Sequence, residues 1–165
     1  MSPRPTAVVD DTTQPPRVVF TRHFRAPIED VWEAVSDPAR LERWIGTYSG
    51  DPVSGHVTFR MTAEEDAGDE EVAIHRCEPP HHWSVTTSSD GQSWSFTLTL
   101  TEDDGGTRLE FAQVLTDPAE LQSFGPGWEY YLDRLAADLR GTQADEVRWE
   151  DYYPTMADYF ATLRR

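Results

Sequence analysis

Three polar residues interrupt otherwise apolar faces of this chain, and they are the first places to look for chemistry. Arg22 stands between Phe20 and Phe24, Arg76 follows Val72 and Ile74, and Gln113 lies between Phe111 and Leu115. Each is two residues from an apolar neighbour and so shares its side of an extended strand. An unpaired ion turned toward a core is costly, so each needs a partner, water or a ligand. A guanidinium in such a place could orient a ligand carboxylate or phenolate through charge-assisted hydrogen bonds. The alternative is that both arginines reach solvent from strand ends, or that a bulge breaks the phase and turns them outward.

Other reactive groups offer less. His81 and His82 are adjacent and point opposite ways on a strand, and His23, His56 and His75 fall on different strands. None has a metal-ligand spacing such as His-x-x-x-His, so no metal is expected. The acidic run EEDAGDEE (64–71) lacks the alternating ligands and central glycine of a calcium loop and reads as a solvated turn. There is no G-x-S-x-G elbow or phosphate loop, and Cys77, the single cysteine, has no histidine at a diagnostic distance. With no catalytic constellation visible, whether the chain is an enzyme stays open, and no cofactor is implied.

The elements that must carry these residues follow from periodicity. RVVFTRHF (17–24) alternates as a strand and gives way at Ala26-Pro27 to a helix, with Glu29 and Asp30 favouring its positive end. Ile28, Val31, Trp32 and Val35 share one face of it. Asp37-Pro38 ends that helix and begins a second short one, on which Leu41, Trp44 and Ile45 share a side. Five alternating runs follow: VTFRMT (57–62), EEVAIHRC (70–77), HWSVTTSS (82–89), SWSFTLTLT (93–101) and TRLEFAQVL (107–115), separated by turn sequences such as Asp90-Gly91. Consecutive hairpins imply an antiparallel meander, with one apolar face and a Ser/Thr-rich opposite face of Ser93, Ser95, Thr97, Thr99 and Thr101. TDPAEL suggests a short helix with Asp117 and Glu120 as a capping box. After GPG, the run WEYYLDRLAADLRG places Trp128, Tyr131, Leu132, Leu135 and Leu139 on one stripe ending at Gly141. This amphipathic helix is the expected cover for the apolar face.

Length and charge bound the rest. The 165 residues make one domain with a substantial core. A formal charge of −16 repels phosphate backbones and anionic lipid, which argues against nucleic acid as a partner. No window is apolar enough for membrane insertion, and the expected location is the cytoplasm. Residues 1–16, rich in proline and threonine, read as a flexible leader, 17–141 as the folded domain, and 142–165 as an aromatic helical extension. Trp149, Tyr152, Tyr153 and Phe160 are too apolar to stay free, so the extension should dock on the domain or on the second subunit of a homodimer.

The stretch FRAPIEDVWEAVSDPARLERWIG (24–46) resembles the opening of the SRPBCC, or START-like, superfamily, and more closely the homologues of the heat-shock-protein ATPase activator C-terminal domain. The resemblance rests on Phe24, Ala26-Pro27, Val31-Trp32, Asp37-Pro38 and Leu41 to Trp44, and on the closing GWEYYLDRLAADLRG. Ile45-Gly46 departs from it, since many relatives carry a second aromatic after the tryptophan. It implies an α+β helix-grip fold: a curved antiparallel sheet wrapped on a long C-terminal helix, with two short helices after the first strand and a cavity between sheet and helix. Such proteins serve as hydrophobic-ligand carriers, polyketide cyclases or co-chaperones, and the fold alone does not choose among them. The implied function is binding of a small hydrophobic or aromatic ligand. The alternatives are a cyclase or hydrolase using the same cavity, and a chaperone-associated interaction module. The inner phase nominates Trp44, Phe59, Met61, Trp83, Phe96, Phe111 and Trp128 as the wall, with Arg22, Arg76 or Gln113 as the polar handle.

Overall fold

The computed structural model describes residues 3–62 and 68–163. Residues 64–67 of the acidic run, the first two residues of the expected leader and the last two of the extension lie outside the described residues.

Eight antiparallel strands form one sheet in the order β1-β2-β8-β7-β6-β5-β4-β3. They are β1 (Val8–Asp10), β2 (Arg17–Phe24), β3 (Gly46–Ser49), β4 (His56–Met61), β5 (Asp69–Glu78), β6 (His82–Ser89), β7 (Gln92–Asp103) and β8 (Gly106–Val114). From β3 to β8 each strand pairs with the next, and β2 closes onto β8 with Phe20 opposite Phe111. Two hairpins turn on Asp-Gly pairs whose residues all have positive φ, Asp90-Gly91 and Asp104-Gly105, as two-residue turns of this hand require. Helices α1 (Ile28–Ser36) and α2 (Pro38–Leu41) follow β2, and the long α3 (Leu121–Leu139) packs over the inner face. This is the helix-grip fold.

Local sequence accounts for α1. Pro27 enters it with φ −59, Ile28, Val31, Ala34 and Val35 are buried, and extended Asp37 ends it immediately before Pro38. The core beneath is continuous, with Phe20, Leu98, Leu100, Leu109 and Leu135 fully buried.

Four features differ from the sequence expectation. First, residues 1–16 do not run free throughout: Val8–Asp10 pair with β2, and the N–H groups of Thr6 and Ala7 donate to the Glu129 carboxylate on α3. A fully buried carboxylate must find donors, and this segment supplies them. Second, the chain leaves the turns after α2 as strand β3, where a side chain on Gly46 would meet the Arg60 carbonyl oxygen at 2.3 Å. Third, α3 begins at Leu121 and runs through Gly125-Pro126-Gly127 without a break. Packing decides this: Leu121, Pro126 and Leu132 are buried, and bare Gly125 seats the Phe160 ring. Asp117 and Glu120 form no capping box. Asp117 instead accepts from Ala119 N at 3.0 Å in a 3-10 turn. Fourth, β5 carries a bulge between Ile74 and Arg76, with consequences for the cavity.

The extension packs against its own chain. Beyond two 3-10 turns, helix α4 (Ala157–Leu163) lies on α3, with Phe160 wholly buried and its ring centroid 6.3 Å from that of Phe20. The Tyr159 hydroxyl donates to the Ala7 carbonyl at 2.6 Å. The first and last described segments are thereby joined.

Candidate ligand cavity

The register turns the alternating pattern into a lined wall. Val57 stands opposite Val72, Thr87 opposite both Val72 and Trp94, and Ile74 heads a rung that continues through Val85 and Phe96 to Gln113. A third rung runs Cys77, Trp83, Leu98, Phe111. Directly opposed residues project from the same face, so these rungs form one inner surface. Between it and helices α1 and α3 lies a cavity of about 1130 Å³.

All six tryptophans of the chain line it: Trp32, Trp44, Trp83, Trp94, Trp128 and Trp149. Three of the indoles are fixed by their own N–H. Trp44 donates to the Ala34 carbonyl at 2.9 Å, Trp83 to the Val35 carbonyl at 3.2 Å, and Trp128 to Gln113 Oε1 at 2.8 Å. With the polar edge anchored in the protein, the ring's orientation is set before any ligand arrives. Phe96 and Phe111 stack at 5.6 Å between centroids, and Trp128 lies 4.6 Å from Phe111. The Tyr48 hydroxyl donates to the Ser36 carbonyl at 2.8 Å. Burial, with Asp37 and Cys77 nearby, raises its pKa, so it stays a neutral phenol.

Trp44, Phe59, Met61, Trp83, Phe96, Phe111, Trp128 and Gln113 therefore all border this space. Trp44 does so while only 5% exposed, and Gln113, 2% exposed, already has its oxygen engaged by Trp128. The two arginines do not border it. Arg22 does face inward, opposite buried Leu109, but its charge is met within the chain: Nη2 lies 2.8 Å from Glu129 and Nε 3.2 Å from Asp133, both on α3. Arg76 faces out. The bulge after Ile74 shifts the phase by one, so Arg76 opposes Ser84 and pairs with Glu78 at 2.8 Å, while Cys77 takes the inner position opposite Trp83.

Sequence reasoning missed Trp32, Tyr48, Trp94, Trp149, Glu70 and Glu120, which also border the cavity. Trp94 could have been found, being two residues before Phe96 in the same phase. Trp149 could not, because its place depends on how the extension folds back. Among the described residues no group of three His, Cys, Asp or Glu side chains could hold a metal ion. Nor is any helix among them long and apolar enough to cross a membrane.

A family model described as Activator of Hsp90 ATPase homolog 1-like protein matches residues 25–140. The chain belongs to that family. It is thus an Hsp90-activator-like member of the SRPBCC superfamily. No curated protein matches it in sequence. Among solved structures, the crystal structure of CalU16 from Micromonospora echinospora is 26% identical, covers 98% of each chain and superposes with a TM-score of 0.78. That likeness takes in nearly the whole chain, beyond the span of the family match. DynU16, described as a protein in the dynemicin biosynthetic locus, is 26% identical with a TM-score of 0.68. The match covers 78% of this chain and 49% of DynU16, about half of that protein's length. Protein MLL2253 from Mesorhizobium loti is 25% identical over 77% of this chain and 98% of its own, with a TM-score of 0.66.

Proposed function

We propose that this family member binds a multi-ring, predominantly apolar small molecule of polyketide-like character in the cavity between sheet and α3. One observation carries the reading: a space of about 1130 Å³ bordered by every tryptophan in the chain. Pockets for drug-sized ligands span roughly 300–1,000 Å³ and derive affinity from apolar walls with a few polar groups for orientation. This cavity exceeds that range, and its flat indole and phenyl faces suit fused or linked rings better than a single flexible chain. The place of DynU16 in a biosynthetic locus supports the same ligand class.

Native mass spectrometry of gently purified protein should show a retained small molecule. Thermal-shift screening with flavonoid-like phenols and polyketide-like aromatics should find a stabilising class, because a ligand that binds only the folded state raises stability by mass action. No retained mass and no shift with either class would refute the reading. Chemical conversion of the retained compound would extend it to catalysis in the same cavity.

A further inference from the structure

Resting on the cavity reading, the structure also marks where a ligand enters. Five of the six tryptophans are built into the domain: Trp32 on α1, Trp83 on β6, Trp94 on β7, Trp128 on α3, and Trp44 just after α2 with its indole tied to Ala34. The sixth, Trp149, comes from the extension, outside the span 25–140 that the family model matches. It still borders the cavity, and it is the only exposed tryptophan, at 39%. Part of the wall is thus supplied from beyond the family's shared span.

The chain around Trp149 is pinned on both sides and loose between. Before it, buried Ala144 offers its carbonyl to Arg134 Nη1 on α3 at 3.1 Å. After it, buried Tyr152 donates its hydroxyl to Asp133 Oδ2, also on α3, at 2.6 Å. Of residues 145–151 between these pins, only Val147 is partly buried. Trp149 itself opens a three-residue 3-10 turn, Trp149–Asp151. Its indole is held by other rings: Tyr153 lies parallel at 5.7 Å and 6°, and Tyr130 edge-on at 5.3 Å and 76°. Tyr130 borders the cavity, whereas Tyr153, 45% exposed, does not. Ring contacts of this kind are individually weak. An incoming aromatic ring can offer Trp149 the same kind of contact that it gives up on moving. The other exposed residues on the border, Pro52, Cys77, Pro79 and Ser123, have side chains too small to cover an opening of ring size.

We propose that residues 145–151 form a flap over the cavity entrance with Trp149 as its plate. The indole swings off Tyr130 to admit a ring system and stacks on it once it is inside. Opening breaks that one ring contact and leaves the pins at Ala144 and Tyr152 in place, so the fold beneath is undisturbed.

The test follows 1-pyrenemethanol, a neutral four-ring probe, into the full chain by stopped flow. Tryptophan emission, quenched by transfer to pyrene, reports occupancy, since every indole borders the cavity. Release is timed by mixing the complex with excess methyl-β-cyclodextrin, which traps the freed probe. In Trp149→Ala the entrance stands open, so association and dissociation should both quicken at least about fivefold, the weight of one ring contact. Trp149→Phe keeps a ring at the plate and should bring both rates back to within about twofold of the unaltered chain. In the unaltered chain, amide exchange over residues 145–151 should slow severalfold when the probe saturates the cavity, a measurement that needs no variant to fold. Unchanged rates in Trp149→Ala, a change in dissociation alone, or exchange over 145–151 that ignores the probe overturns the flap while the cavity stands. No binding of 1-pyrenemethanol to the unaltered chain removes the cavity reading itself, and the flap with it.

Discussion

Replacing Gly125 by alanine asks whether the docking of the extension depends on one missing methyl group. A Cβ built there would lie 2.3 Å from Cδ1, 2.5 Å from Cε1 and 2.6 Å from Cγ of Phe160. These are ring atoms of a side chain with no exposed surface, so the ring cannot swing into solvent. Overpacking of this kind costs about 1–3 kcal/mol. Against it stands the helix propensity of alanine over glycine, about 1 kcal/mol in favour. With a mid-range clash of about 2 kcal/mol, Gly125→Ala should destabilise the protein by about 1 kcal/mol net. In a Phe160→Ala background, itself about 3–5 kcal/mol less stable, the clash is gone and only the propensity gain remains. The same substitution should then stabilise by about 1 kcal/mol, giving a coupling of about 2 kcal/mol between the two sites. Urea unfolding of the four proteins, read from midpoints at constant m, measures this cycle. A Gly125→Ala effect of the same sign in both backgrounds would refute the packing argument.

Three further outcomes are expected. Arg22→Met should cost about 3–5 kcal/mol in urea unfolding, because it removes the cation paired with the fully buried Glu129, and adding Glu129→Gln, which removes the charge but keeps an acceptor for the Thr6 and Ala7 N–H groups, should recover part of the loss. Phe111→Trp should weaken 1-pyrenemethanol binding about tenfold by tryptophan quenching without unfolding the protein, since the added ring crowds a residue already stacked on Phe96 and Trp128. Stability should hold below about pH 10 and fall as pH rises beyond it. Burial, and then the hydrogen bond to Asp133, raise the pKa of Tyr152 far above its ordinary value. The unfolded chain therefore releases this proton first, and Tyr152→Phe should flatten the alkaline slope in pH-dependent melting.

What the sequence made legible divides by range. Alternation in β4 through β8 and the Ala-Pro, Asp-Pro punctuation around α1 are local signals, and they placed the antiparallel meander and most of the residues that border the cavity, while the helix-grip arrangement followed from the family resemblance. Arg76 shows where local signals stop. A single extra residue after Ile74 moves it to solvent and turns the still exposed Cys77 to the cavity side, and nothing in the alternation marks the bulge. Arg22 was placed on the correct face, but its partners Glu129 and Asp133 sit more than a hundred positions away, where no periodicity links them. β1 failed for the same reason. Its proline-rich context reads as disorder, and the order comes from a buried carboxylate on a distant helix. The Gly-Pro-Gly inside α3 reads as a break because propensity says so, and tertiary packing against Phe160 overrides it.

The pairing of β2 with β8 has a consequence for the order in which the chain can assemble. Every contact from β3 to β8 is a hairpin, available as soon as the second strand of each pair leaves the ribosome. β2 is synthesised before all of them, and although β1 can pair with one of its edges at once, the other edge finds its partner only when Val114 exists. Until then the edge of β2 that will meet β8 presents open backbone donors and acceptors alongside Val18, Val19 and Phe20, the very residues that end up buried. Such long-range closure is the slow part of folding, so during synthesis the vulnerable species is a nascent chain that carries a finished opening strand and waits for the last one. Segments that bind and shield residues 17–24 during that interval would raise the yield of folded protein without touching its final stability.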